Sequence, residues 1–251
     1  MAEREGQSGR VEAVTVNQRS LIDKILARYS TELTLFRELL QNADDAQASK
    51  AQIRFSGILR RKPQSSIPGS KQVEQSSAPR QGGGNETMVG KEAEDALSFT
   101  SLTICNNGLK FGDADWDRVK SIANGNPDET KVGFYGVGFF SVFSLADDPS
   151  ILSGEKALTF FWKGDSLYVR HGATSDVQLG KERAHSLSLV QKGWTCFHLP
   201  VRSDPPYPVL PEGDALVAFF AKSLMFTKHL EEISCYMDGE LLVRVRREKI
   251  G

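Results

Sequence analysis

Residues 57–95 set the first constraint on any fold of this 251-residue chain, because the run RRKPQSSIPGSKQVEQSSAPRQGGGNETMVGKEAED within them holds almost no large apolar side chain. A stretch so rich in Ser, Gln, Gly and Pro buries too little apolar surface to offset the entropy of ordering it. Strand-like pattern resumes directly afterwards at Leu97–Asn106, so the stretch reads as a disordered surface insertion inside a domain. The core must then come from the rest of residues 17–251, behind a polar, flexible N-terminus at residues 1–16.

A chain of this length fits one large domain. Its formal net charge is −1 with both signs interleaved, so no overall field draws it to nucleic acid or to an anionic membrane, and neither is expected as a partner. An anion has to be held by a local site. Cys105, Cys196 and Cys235 lie far apart in sequence and form no C-x-x-C pair, and the four histidines have no metal-ligand spacing; a structural zinc is not expected. The opening MAEREGQSGR lacks the apolar core of a signal peptide, and no apolar run nears the roughly 20 residues that span a bilayer. The expectation is a reduced, soluble, cytoplasmic protein, with the nucleus left open.

Apolar residues at Leu21, Ile22, Ile25 and Leu26 predict a helix over Asn17–Tyr29, and a second helix, capped by Ser30 or Thr31, runs to Ala46. Ala51–Phe55 reads as a strand, Leu97–Asn106 as another and Asp113–Ala123 as a helix. Further strands are expected at Ala157–Lys163, Leu167–His171, Ser186–Val190 and Trp194–Val201, and a helix at Ala215–Lys228. The end reads as a hairpin, Ile233–Met237 and Leu241–Arg247 around Asp238-Gly239. Helices gathered with a largely antiparallel sheet predict an α+β sandwich.

Three segments carry chemistry. In ELLQNADDA, residues 38–46, Glu38, Asn42 and Asp45 fall within an arc of about 60° on the helix surface, while apolar residues occupy much of the rest. A solvated face is the bland explanation, but such faces favour long flexible Lys, Arg and Glu; an acid one turn from a short amide, with no cation beside it, suits a metal-phosphate site better. An Asn carbonyl oxygen is a hard ligand, and Mg²⁺ takes one or two protein oxygens alongside phosphates and waters. A carboxylate one turn away can orient or deprotonate water. In GFYGVGFFSVF, Gly133, Gly136 and Gly138 precede an apolar run that reads as a buried helix. Glycine lets backbone approach a ligand, and the N–H groups at a helix start attract phosphate, although tight turns also use glycine. In LTICNNG, residues 102–108, a strand ends in two amides and a glycine, either as a plain turn or as polar groups delivered to a pocket.

Taken in order, E-x-x-x-N-A-x-D-A, strand-N-N-G and G-x-x-G-x-G-F resemble the nucleotide-binding boxes of the GHKL superfamily, which includes gyrase, the heat-shock chaperone ATPase, histidine kinases and MutL. The longer wording ARYSTELTLFRELLQNADDAQA, DADWDRVKSIANG, KVGFYGVGFFSVFSLADDPSILSG and GWTCFHLPVR looks like the sacsin family and its plant and fungal relatives. The resemblance implies the Bergerat (GHKL) two-layer sandwich, its mostly antiparallel sheet covered by helices on one face. It implies Glu38 as the water-activating residue, Asn42 as the Mg²⁺ ligand and Asp45 as support near ribose and base. Gly133, Gly136, Val137, Gly138 and Phe139 match the phosphate box, Asn106 and Gly108 the second box, and Thr195 the threonine near adenine. Residues 109–132 occupy the place of a mobile lid. This chain departs from the usual D-x-G-x-G, reading Asn106, Asn107, Gly108, Leu109, Lys110; an amide oxygen can accept the adenine amino bond without charge assistance.

The function expected is ATP binding with slow Mg²⁺-dependent hydrolysis, driving lid closure in a sacsin-like, chaperone-like protein whose partners include clients or co-chaperones. The alternative is a nucleotide-sensing or structural module that does not turn over.

Overall fold

The computed structural model describes residues 17–27, 33–60, 97–120, 138–202 and 208–248. The first helix, α1, spans Gln18–Leu26, and α2 spans Thr34–Asp45. Leu35, Phe36, Leu39, Leu40 and Ala43 of α2 are buried, the spacing of an apolar stripe that fixes how the helix is rotated against its neighbours. The start at Thr34 lies beyond the Ser30 or Thr31 cap expected from sequence; residue 33, Leu33, precedes the helix without a side-chain cap.

Eight strands form one sheet. In chain order they are β1 (Lys50–Ser56), β4 (Ser101–Asn106), β5 (Ser150–Ser153), β6 (Lys156–Lys163), β7 (Ser166–Ala173), β8 (Thr195–Pro200), β9 (Glu232–Met237) and β10 (Glu240–Arg246). Two short strands, β2 (Leu59–Arg60) and β3 (Leu97–Ser98), pair separately. The sheet order is β10-β9-β1-β4-β8-β5-β6-β7. Only the β1–β9 pair among these is parallel. The hairpin between β9 and β10 turns on Asp238 and Gly239 at φ 44° and 94°, the double positive φ that an Asp-Gly turn supplies.

Described chain extends into the low-complexity segment as far as Arg60. Gly57 and Ile58 donate their backbone N–H groups to the Asp238 carboxylate at 2.8 and 3.3 Å, and β2–β3 closes the base of the insertion. Residues 61–96 of the expected insertion, and the N-terminal 1–16, lie outside the described residues.

One face of the sheet carries the larger core. α2, α5 (Gly213–Phe226) and a seven-residue 3-10 helix at Gly138–Ser144 bury Phe36, Phe55, Phe140, Phe143, Phe160 and Phe220 there. Each such ring contributes about 1.5–3 kcal/mol of burial relative to an exposed one. The expectation of helices on one face only is corrected by α4 (Arg183–Gln191), which lies on the other face. Its Leu189 and Val190, with Val177 and Leu179 before it, cover Leu152, Ala157, Cys105 and Cys196.

That helix includes Ser186–Val190, read from sequence as a strand. Alternating Ser and Leu imitate a period of two, yet Ser186, Leu189 and Val190 are the buried positions, spaced three and four apart as a helix requires. Strand β5 escaped the sequence reading altogether. Its four residues are all buried, so it shows no alternation to detect. The register of β4 on β8 places Cys105 opposite Cys196, and the two form a disulfide across 91 residues of sequence. The reduced state expected for both is therefore corrected. Cys235 is a free, buried thiol, its pKa pushed up to about 12 by desolvation. Among the described residues no helix is long and apolar enough to cross a membrane.

Candidate functional site

Once the apolar stripe of α2 is seated, Glu38, Asn42 and Asp45 are left facing a cleft of about 200 Å³. Gly138 and Phe139, at the start of the 3-10 helix, form the facing wall. The approach is close: a Cβ on Gly138 would lie 2.2 Å from Glu38 Oε2. A side chain here would push the end of the Glu38 side chain aside. Partial burial raises the Glu38 pKa above the usual carboxylate value, against a smaller downward pull from Arg37. A carboxylate short of solvation holds a proton more strongly, which makes it a better base when ionised.

Asp44 and Asp45, adjacent in sequence, do different work. Asp44 is buried, and its carboxylate accepts backbone N–H bonds from Lys228, His229 and Leu230 at 2.9, 2.6 and 2.9 Å. It ties α2 to the turn between α5 and β9. Asp45 lines the cleft and accepts a bond from Gln41 Nε2 at 3.1 Å.

The far end of the cleft is built by the end of β4 and the start of β8, where Asn106 and Thr195 stand opposite each other. Both are almost fully buried, at 3% and 1% exposure. Asn106 Oδ1 accepts the Gly108 N–H at 3.0 Å, a local turn in which the amide fixes its own orientation. Asn107 serves the scaffold: its Oδ1 accepts the Lys50 N–H at 2.8 Å and its Nδ2 donates to Ser49 at 3.0 Å. The Thr195 hydroxyl meets Ser153 Oγ at 2.6 Å, and Ser153 Oγ also accepts the Phe111 N–H at 3.0 Å.

Between these ends runs an aromatic floor. Phe139 packs against Phe160 and Phe197, and Phe111 bridges Phe197 and Trp116. Trp116 belongs to α3, Asp113–Arg118. This is shorter than the Asp113–Ala123 expected, and residues 121–132 of the proposed lid lie outside the described residues. Asp115 and Arg118 of α3 line the cleft and pair with each other at 3.1 Å.

Lys110, which replaces the second glycine of the usual motif, also lines the cleft. Its stem passes over two glycines in left-handed conformation: Cβ atoms on Gly154 and Gly193 would be 3.8 Å from its Cδ and 3.4 Å from its Cε. Both lie in turns at positive φ, the conformation that selects glycine, and a Cβ at either would make only ordinary contact with the Lys110 stem.

Of the residues expected at a site, Glu38, Asn42, Asp45, Asn106, Gly138, Phe139 and Thr195 border one cleft. Gly108 does not line it. A Cβ there would fall 2.5 Å from the Ala46 carbonyl oxygen, so its role is to let the β4 end pack on the end of α2, where Leu109 N–H donates to that carbonyl at 2.7 Å. Gly133, Gly136 and Val137 lie outside the described residues. The buried helix expected after the glycines is a 3-10 helix of seven residues, with a smaller dipole than a long α-helix. Sequence reasoning did not find Ser153, which sits in the unrecognised β5, nor Phe111 and Arg118, whose relation to the cleft follows only from the packing of α3.

The donor set at α2 suits a hard divalent cation shared with phosphates. Asn42 supplies one amide oxygen and Glu38 a carboxylate one turn away, both bordering the cleft. Among the described residues no cluster of three or more His, Cys, Asp or Glu could hold a metal by itself, and Mg²⁺ bound mainly by phosphates and water asks for none.

A family model described as "Sacsin domain" matches residues 16–182 of the chain. The chain is also similar to the human protein "Sacsin", with 28% identity over 253 residues that cover 87% of this chain and 5% of that protein.

Proposed function

The chain belongs to the Sacsin-domain family, and from that premise we propose that its cleft binds a Mg²⁺-bound nucleoside triphosphate, ATP in the first expectation, and hydrolyses it slowly. The observation that supports this most is the meeting of Glu38 and Asn42 with Gly138 across a cleft that also holds Asn106 and Thr195. A triphosphate laid along it would have its γ-phosphate at Glu38 and its base between Asn106 and Thr195. Asn42 would hold Mg²⁺, which on binding neutralises phosphate charge. Glu38, partly desolvated and in no ion pair among the described residues, would take the proton of the attacking water. The aromatic floor keeps bulk water from the far end, and the sheet with its helices fits the GHKL sandwich. Residues 109–132 are proposed as the moving cover, clients or co-chaperones as partners and the cytoplasm as the location.

Hydrolysis by Glu38 has a direct test. Glu38→Ala should bind Mg–ATP within about threefold of wild type while phosphate release falls by roughly 10²–10⁴-fold; equal turnover by the variant removes the role. A second reading, a sensor that binds without turnover, draws on the neutral Asn106 where charge assistance is lost, and binding without phosphate release would favour it.

A further inference from the structure

Two side chains that the cleft does not use stand directly behind it. Successive residues of a strand point to opposite faces of the sheet. Asn106 and Thr195, opposite each other at the end of the β4–β8 ladder, face the cleft, while Cys105 and Cys196, the next pair in, face α4. The disulfide between those cysteines therefore joins the two strand ends that carry the far end of the cleft. A ladder end is where strands open most readily, and the bond sits one residue from it. Thr103 and His198, the next pair on the α4 face, lie two residues further in.

The cover over the sulfurs is small. Both cysteines are fully buried, beneath Leu189 and Val190 of α4 with Val177 and Leu179 beside them. α4 has nine residues and no side-chain cap at its start, and it enters β8 through a turn at Gly193, φ 92°. A short helix of this kind lifts more readily than the central strands open, which gives a small thiol or disulfide access. Cys235 belongs to the core of the opposite face, which leaves Cys105 and Cys196 to each other. In a reducing compartment, the location proposed above, a disulfide is transient and redox-sensing rather than a permanent staple.

We infer that Cys105 and Cys196 are a reversible redox modification site that sets how tightly the cleft binds, the disulfide holding Asn106 and Thr195 in place for the ligand and the dithiol releasing them. The oxidant is a small-molecule disulfide such as oxidised glutathione. One cysteine thiolate attacks it, forming a mixed disulfide and releasing one small thiol; the other cysteine thiolate attacks the protein sulfur of that mixed disulfide, closes the Cys105–Cys196 bond and releases the second. Two protein thiols are oxidised, one small disulfide is reduced, and the two protons pass to the departing thiolates. Reduction runs the same steps backwards. Two separate thiols need more room than a bonded pair, and the interior around them is closed, so the room comes from parting the strand ends or raising α4. The clamped state binds more tightly because less ordering remains to be done. This inference rests on the reading of the cleft as a nucleoside-triphosphate site and adds a control to it.

The whole chain is treated with oxidised glutathione or with dithiothreitol and then freed of reagent. Maleimide labelling after denaturation, read by intact mass, should find one thiol in the oxidised chain, Cys235, and all three in the reduced one. Calorimetric titration with Mg–ATP should give a Kd roughly fivefold or more higher for the reduced chain, the low end of coupling between two sites. Cys105→Ser should show the reduced Kd after either treatment. Three labelled thiols after oxidation overturn the inference, and so does a bond that dithiothreitol cannot open in the folded chain. A Kd that is the same in both redox states of wild type overturns it whether or not the variant folds, and leaves the nucleotide reading intact. Absence of Mg–ATP binding in both states would remove that reading, and this one with it.

Discussion

The two faces of the sheet are built on opposite principles. On the cleft face, apolar positions of β1, β4 and β8 (Ile53, Phe55, Leu102, Ile104, Phe197 and Leu199) are all buried in one core with α2 and α5. On the other face the same strands turn in Arg54, Ser56, Thr103 and His198, also buried. Arg54 pairs with Glu182 at 2.6 Å, Ser56 donates to the same carboxylate at 2.5 Å, and Thr103 meets His198 Nδ1 at 2.9 Å. Dispersion and burial hold one face, while the other adds to a small apolar cluster under α4 a set of buried polar groups that need partners. Stability and chemistry are accordingly separable: changes to the polar face should unfold the protein without touching the cleft, and changes in the cleft should alter ligand handling without unfolding it.

The largest test of that separation is Glu182→Ala, which leaves the Arg54 guanidinium buried without its partner. A loss of about 3–5 kcal/mol in urea unfolding is expected, and the pair Arg54→Met with Glu182→Leu should recover most of it. A loss below about 1 kcal/mol for Glu182→Ala would mean that the polar face is not structural.

His198 gives the next effect. Desolvation pushes its pKa down to about 4, with Glu182 opposing only in part. An unfolded histidine titrates near 6.5, so between those values the unfolded chain binds the extra proton. Stability from this group is complete above about pH 6.5 and drains away as pH falls towards 4, by on the order of 3 kcal/mol. Melting curves at pH 7.5 and 5 should show the loss in wild type and a shallower one in His198→Gln.

A pair of glycines sharpens the comparison within the cleft face. At Gly108 an added Cβ meets the backbone oxygen of Ala46 at 2.5 Å, whereas at Gly138 it meets the end of the flexible Glu38 side chain at 2.2 Å. Gly108→Ala should cost about 1–3 kcal/mol of stability, since backbone must move. Gly138→Ala should shift the melting temperature little, because Glu38 can swing aside, yet it should lower turnover by displacing that carboxylate.

Much of the cleft face was legible in the sequence. The stripe from Leu35 to Ala43 fixed the rotation of α2 and with it the direction of Glu38 and Asn42, since a helix exposes what its apolar face leaves over. Asp238-Gly239 announced its hairpin through the φ values it tolerates. The other face was opaque for a physical reason. Its apolar cluster is small and many of its buried residues are polar, so no long hydrophobic period marks it, and Arg54 and Glu182 meet across 128 residues through strand register and the placement of α4. The Cys105–Cys196 pairing is hidden in the same way, following from the β4–β8 register alone. The close approach of Gly108 to the Ala46 carbonyl could not be read from either motif alone, because it depends on how the end of β4 packs on the end of α2.

Hydrogen exchange of the backbone amides with and without saturating Mg–ATP tests the central claim on both faces at once. Slower exchange should appear at Glu38–Ala46 and at residues 106–119, while α4 at Arg183–Gln191 stays as it was. Protection confined to α4, or no change anywhere with saturating Mg–ATP, would contradict the assignment of this cleft.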